Sequence, residues 1–198
     1  MRILVIGATG TIGRAVVSAL SPGNEIVPAS RQSTAITVDI AEPASIREMY
    51  RSAGRLDAVV CAAGQAKFAP LGELSDADFR YCLENKLMGQ VNLVRLGFEH
   101  VADGGSFTLT TGILARLPMP GGAAISLVNS GIEGFVRGAA LEAPRRIRVN
   151  AVSPPWVSET LAAMKMDPSQ GLPAAVVARA YVRSVTGKDS GATLEPSA

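Results

Sequence analysis

Gly7, Gly10 and Gly13, three residues apart, are the first residues in this sequence whose arrangement could do chemistry. They follow Ile3-Leu4-Val5-Ile6, an unbroken apolar run of the kind that forms a strand buried on both faces of a parallel sheet. A helical pattern opens behind them at Arg14-Ala15-Val16-Val17. Strand, glycine turn and helix together make a cradle for phosphate. The glycines let backbone N–H groups approach the oxygens, and the helix N-terminus adds about half a positive charge. Gly7, Thr9, Gly10, Thr11, Ile12 and Gly13 are therefore candidate nucleotide-binding residues. The alternative for this spacing is a βα turn that merely needs glycine dihedrals. A position directly behind a strand favours the nucleotide.

Little else in the composition competes with this reading. Cys61, Cys82 and the lone His100 cannot supply a zinc set, so no metal is expected. A formal charge of +2 gives no argument for nucleic acid. The tightest basic cluster, Arg145-Arg146 with Arg148, reads as a solvated loop between helix and strand. No apolar run has the length of a membrane helix. Two distant cysteines without an export signal point to reduced thiols in a cytoplasm. The 198 residues are expected to form one domain, 1–198.

The elements that must position the glycines alternate along the chain. Strands are expected at 25–29, 35–38, 56–61, 106–111, 147–152 and 192–195. Helices are expected over 43–51, over 76–101, over 122–142 and, in a broken pattern, over 161–185. Phe79, Leu83, Leu87, Val91, Val94, Phe98 and Val101 recur at helical spacing. Ser75 and Asp78 make a start cap for that helix, and Asp103-Gly104-Gly105 a stop. The fold class is α/β: a doubly wound parallel sheet, flanked by helices on both faces, in three layers.

The order of these features resembles the short-chain dehydrogenase/reductase family over nearly the whole chain, which implies a Rossmann-like fold. Gly7-Ala8-Thr9-Gly10-Thr11-Ile12-Gly13 is similar to the family's glycine loop. Asp39-Ile40 stands where the family holds adenine, and Cys61-Ala62-Ala63-Gly64 resembles its strand end beneath the cofactor. Arg148 to Pro154 looks like the family's sixth strand, which implies Pro154 and Val157 beside the nicotinamide. A site for NAD wants a carboxylate at the end of the second strand. Ser30-Arg31 stands there, and the arginine fork suits a 2′-phosphate, so NADP is expected rather than NAD.

The catalytic half of the resemblance departs from the pattern. The register through Pro120-Gly121-Gly122 and Glu133-Gly134-Phe135 puts Ile125 in the family's tyrosine place and Asn129 in its lysine place. Gly112 takes the serine place and Lys86 the asparagine place. Isoleucine donates no proton, and losing a positioned general acid forfeits about 10²–10⁴-fold in rate.

Three readings follow. In the first, the chain is an NADP(H)-dependent oxidoreductase with rearranged groups: Lys86 as the tuned amine, Thr111 in place of the serine, and Asn129 on ribose or substrate. The bland alternatives are a salt bridge from Lys86 to Asp57 or Glu84, and a Thr111 that merely ends a strand. In the second, the acceptor is an enone or quinone needing little acid help, and Phe68, Ile113, Leu117, Trp156, Met164 and Met166 form an apolar pocket mouth. These same residues could instead be core or interface. In the third, the chain is an NADP(H)-binding sensor or interaction protein without turnover. The helices over 76–101 and 122–142 carry more apolar surface than one sheet can cover, and the family dimerises there. A homodimer or homotetramer is expected.

Overall fold

The computed structural model describes residues 1–197. Seven parallel strands stand in the order β3-β2-β1-β4-β5-β6-β7. They are β1 (Arg2–Ile6), β2 (Glu25–Ser30), β3 (Ile36–Thr37), β4 (Leu56–Cys61), β5 (Val101–Thr110), β6 (Arg148–Val152) and β7 (Thr193–Leu194). From β1 the chain winds outward to β3, then crosses back so that β4 lies on the other side of β1. At such a reversal the connections leave in opposite directions, and a crevice opens at the carboxyl ends of β1 and β4.

Alternation along the strands divides the core into two layers. Ile3, Val5, Ala58 and Val60 face α1 (Thr11–Leu20) and, further along the chain, α7 (Ala174–Thr186). Leu4, Ile6, Val59, Phe107, Leu109 and Val149 face the other way. There they meet α2 (Pro43–Ala53), α4 (Gly89–Gly97) and α5 (Ala123–Glu142). A fully buried run such as Ile3 to Ile6 reads as continuous apolar sequence because both faces are covered. Among the described residues, no helix is long and apolar enough to cross a membrane.

Three expectations about the elements need correction. The helix over 76–101 is not one helix. It is α3 (Asp76–Cys82), a π-helical turn over Leu83–Met88, then α4, closed by a 3₁₀ turn at Phe98–His100. Its start is as expected: Ser75 and Asp78 form a reciprocal capping box, which holds the Asp78 carboxyl below the usual range. Val101 belongs to β5, not to the helix, and Asp103-Gly104-Gly105 is an irregularity inside that strand. Leu56 pairs with Val101, but Ala58 already pairs with Ser106. Gly105 fits there because a Cβ would lie 2.6 Å from the Asp57 carbonyl oxygen. The broken pattern over 161–185 resolves into α6 (Ser158–Ala163) and α7, the latter started by Glu159, whose carboxylate accepts from Ala174 N–H.

Of the glycines, Gly13 leaves the least room for a side chain, and it places the first helix. A Cβ on Gly13 would sit 1.9 Å from the carbonyl oxygen of Gly7, a backbone atom no rotamer can move. Gly13→Ala is expected to lower unfolding free energy by roughly 3 kcal/mol, the upper range for overpacking. Gly138→Ala, on an α5 site with nothing within 4 Å of the new methyl, is expected to raise it by about 0.5–1 kcal/mol. Denaturant unfolding of both variants, at a concentration where association is absent, checks the pair.

Candidate functional site

The crevice at the carboxyl edge is two clefts sharing one wall. The first encloses about 300 Å³ between Gly7, Thr9 and Gly10 on one side and Ala62, Ala63, Gly64 and Asn85 on the other, with Val38 and Ile40 inside and Ser30 and Arg31 at its far end. The second encloses about 310 Å³ and begins at the same Ala62-Ala63-Gly64. It runs past Lys86, Thr111, Gly112 and Asn129 to Ile12, Pro154 and Val157.

The glycine turn is built for close approach. Gly7 has φ +80°, and a Cβ there would lie 2.7 Å from the Ala62 carbonyl oxygen. Gly10 caps α1 without any side-chain hydrogen bond. Among the described residues no acceptor takes the N–H groups of Thr11, Ile12 and Gly13. Gly13 itself packs against the turn and touches neither cleft. At the far end, Arg31 is exposed and reaches Asp39 at 3.8 Å. Asp39 lies in a side groove with Arg31 and Asn85, while Ile40 lines the main cleft. The Ser30 hydroxyl is engaged by the Gln32 carbonyl and Thr34.

Cys61 is placed elsewhere. It is fully buried among the core residues, lines neither cleft, and burial pushes its thiol up to about 12. Its backbone carbonyl instead accepts from the Thr110 hydroxyl at 2.5 Å. Phe68, Leu117, Met164 and Met166 are exposed and lie outside the second cleft, which Ile113 and Trp156 do line.

Lys86 projects from the π-helical turn, where an extra residue per turn re-aims the side chain. It borders the second cleft and, on its other side, an open groove of about 840 Å³ lined by Gln65, Lys67, Asp78 and Tyr81. No ion pair to Asp57, Glu84 or any other described acid forms. Desolvation lowers its amine from the ordinary 10.5 to about 8. Asn129 is 2 % exposed, and its Oδ1 has no hydrogen-bond partner. Its Nδ2 donates weakly to the Gly112 carbonyl at 3.4 Å. A Cβ on Gly112 would stand 3.0 Å from that Nδ2, so serine at 112 and asparagine at 129 compete for space. The Thr111 hydroxyl points away from the cleft's centre, with its bonds to the Asn129 carbonyl (3.1 Å) and Glu133 (3.3 Å).

Two polar residues important to this edge were not singled out from sequence. Asn85 Oδ1 accepts from Gln65 N–H at 2.8 Å and pins the segment after β4. Gln90, fully buried, pairs its amide with both N–H and C=O of Thr110 at 2.7 and 2.8 Å. It acts as a substitute strand partner where the β4 ladder has ended. The available signal was a polar residue on the buried side of an otherwise apolar helix.

The family model described as Enoyl-(Acyl carrier protein) reductase matches residues 14–194. The chain belongs to the short-chain dehydrogenase/reductase family. It is 42% identical to the protein lin1944 from Listeria innocua, with a TM-score of 0.95 over 98% of each chain. A small-chain dehydrogenase solved in complex with NADPH is 25% identical, with a TM-score of 0.87 over 98% of this chain and 95% of that one. Hydroxynaphthalene reductase arp2 of Aspergillus fumigatus is 32% identical over 154 residues, 75% of this chain. This chain spans only 56% of that reductase. For a member of this family, the Rossmann-like sheet is as expected, and Ile125, Lys86 and Asn129 lie together at one end of its cleft.

A desolvated ammonium destabilises the fold that holds it. The folded chain binds the Lys86 proton more weakly than the unfolded chain does. The penalty is therefore complete below about pH 8 and vanishes as pH rises past 10.5, where both states are neutral. Lys86→Met is expected to stabilise the protein at neutral pH by no more than ~3 kcal/mol, with the gain gone above the unfolded lysine pKa. Unfolding curves of wild type and variant across that range check it.

Proposed function

We propose that this chain is an NADP(H)-dependent oxidoreductase with a non-standard active site, acting on a carbonyl, enone or quinone-like small molecule. One observation carries the reading: two clefts that share the Ala62-Ala63-Gly64 wall have, among the described residues, unpaired backbone donors and Arg31 in the first, and an amine without an ion pair beside Asn129 in the second. The NADPH-bound relative of like fold supports the cofactor, and the reductase names among the relatives support the activity.

The residues present fit such a dinucleotide. The Gly7 turn, which no Cβ could enter, and the free amides of Thr11 and Ile12 would hold the pyrophosphate, with Gly13 keeping α1 close to the turn. Arg31 would take the 2′-phosphate, with Asp39 and Ile40 beside the adenine. Ala62, Ala63 and Gly64 would lie along its middle, and Ile12, Pro154 and Val157 at the nicotinamide end. When bound, the cofactor supplies or accepts hydride. The chain's own contribution is electrostatic. Lys86 Nζ would stabilise the charge that develops on the substrate oxygen and could pass it a proton. An amine near 8 is mostly protonated at neutral pH yet gives its proton up more readily than an ordinary lysine. The Asn129 amide would hold a hydroxyl of ribose or substrate. We assign Thr111 a positioning role, since its hydroxyl is bound to the Asn129 backbone. The outer groove reaches Lys86 from solvent and offers a route for the proton's return.

A binding-only protein would gain nothing from a desolvated amine, which lowers stability without a partner. That favours turnover over the sensor reading. Leu127, Leu141 and Met88 are exposed on the helices where the family pairs its subunits, and a groove of about 340 Å³ lies between Val94, Phe98 and Phe135. We therefore read the oligomer as a homodimer, or a tetramer built from one, through α3, α4 and α5. Both free cysteines are buried, in keeping with a cytoplasmic setting.

Arg31→Ala is expected to weaken NADPH binding about 10–100-fold, as loss of a charge-assisted bond does, and to leave NADH binding almost unchanged. Nicotinamide fluorescence titration measures both. NADPH consumption across a panel of ketones, enones and quinones tests turnover, and no consumption with any of them would leave only the sensor reading. Leu127→Glu with Leu141→Glu is expected to shift the sedimentation profile to monomer without loss of the fold.

A further inference from the structure

The second cleft has an unbalanced charge inventory. Among the described residues, Lys86 is the one charged side chain on its wall, and no carboxylate lines it. Glu133 lies behind Thr111, and Glu159 is spent on the start of α7. In the outer groove Asp78 is taken by Ser75 and Lys67. The nearby Cys61 thiol is neutral at any ordinary pH, because burial pushes it up to about 12. A cation left without a counter-charge in a partly dry site is a demand that a ligand must meet. If the adjoining cleft brings an oxidised nicotinamide, that ring is positive as well, and the demand for an anion doubles.

The remaining walls describe the rest of the ligand. Trp156, Pro154, Pro155 and Ile113 are flat or stiff surfaces suited to a planar ring. Ile125 stands in the proton-donor place, so the site favours a product that is comfortable as an anion. The orphan Asn129 Oδ1 asks for one hydroxyl donor.

We propose that this cleft takes conjugated carbonyl compounds whose reduced form is a delocalised oxyanion, quinone-like rings or vinylogous acids, and seats that oxygen on Lys86 Nζ. This rests on the oxidoreductase reading above for the source of hydride. The substrate gains one C–H bond at an electrophilic carbon as the C–H bond of NADPH breaks. Its π pair moves to the carbonyl oxygen, so the substrate is reduced by two electrons and NADPH is oxidised to NADP⁺. The oxyanion then pairs with the Lys86 ammonium, or takes its proton, which solvent in the outer groove replaces.

Trp156 is the single tryptophan of the chain and lines this cleft, so binding can be read without cofactor and without turnover. The probes are para-nitrophenolate, a planar delocalised oxyanion, and para-nitroanisole, its neutral ether, each titrated near neutral pH against Trp156 fluorescence. The anion is expected to bind at least about tenfold more tightly, the lower range for a charge-assisted bond. Lys86→Met and Lys86→Gln are both expected to erase the preference, Lys86→Arg to keep it, and Lys67→Met, in the outer groove, to leave it unchanged. Equal binding of the two probes, quenching by neither, or a preference that survives Lys86→Met would overturn the proposal. NADPH binding, followed separately by nicotinamide fluorescence, distinguishes the two failures. Tight NADPH without an anion preference removes this inference alone. An anion preference without NADPH binding removes the oxidoreductase reading and with it the reduction step, and leaves Lys86 as an anion site only.

Discussion

The carboxyl edge of this sheet depends on how closely α1 sits on the turn that feeds it. Gly13 rests directly on the carbonyl oxygen of Gly7, and Gly7 rests on the Ala62 carbonyl at the end of β4. These contacts leave no room for a Cβ at either position. They also hold the first N–H groups of α1 at the mouth of the crevice, where no acceptor among the described residues reaches them. A helix one methyl further away would turn the same amides toward water and open the wall the two clefts share. Backbone packing, not a side chain, thus sets the position of the anion-binding end.

The other end is organised by charge and volume. Two of its residues, Gly112 and Asn129, are coupled physically. Serine at 112 would crowd the Asn129 amide, so Gly112 and Asn129 belong together. Asn129 is in turn held by Thr111, backed by Glu133 and Arg116. Lys86 comes from the opposite wall, on a π-helical turn that breaks the regular ladder between α3 and α4. Irregular backbone of this kind is found where a side chain has to be aimed rather than merely buried.

Several features of the fold were legible because local chemistry and global packing agree. Ile3 to Ile6 is apolar throughout because both faces of the strand are covered. Ser75 and Asp78 cap a helix wherever they stand at that spacing. Where reading failed, two causes recur. Gly104-Gly105 carries the same signal for a helix stop as for an irregular strand, and only the closeness of Asp57 decides between them. Phe68, Met164 and Met166 are apolar in either environment, and residue type cannot tell a pocket wall from an exposed flank.

By itself, then, the sequence determined the strand–turn–helix order, the glycine cradle, the basic residue at the end of β2 and the absence of a tyrosine at 125. Each of these is a matter of residue type at a short, fixed spacing, and backbone geometry transmits such spacing faithfully. Only the tertiary structure decided that the Cys61 side chain turns into the core, that Thr111 serves Asn129, that Gln90 completes an edge of β5, and that Lys86 stands without a counter-charge. Those outcomes depend on which groups from distant segments arrive first at a given atom. Burial and hydrogen-bond competition across the sheet settle that, and no local pattern encodes it.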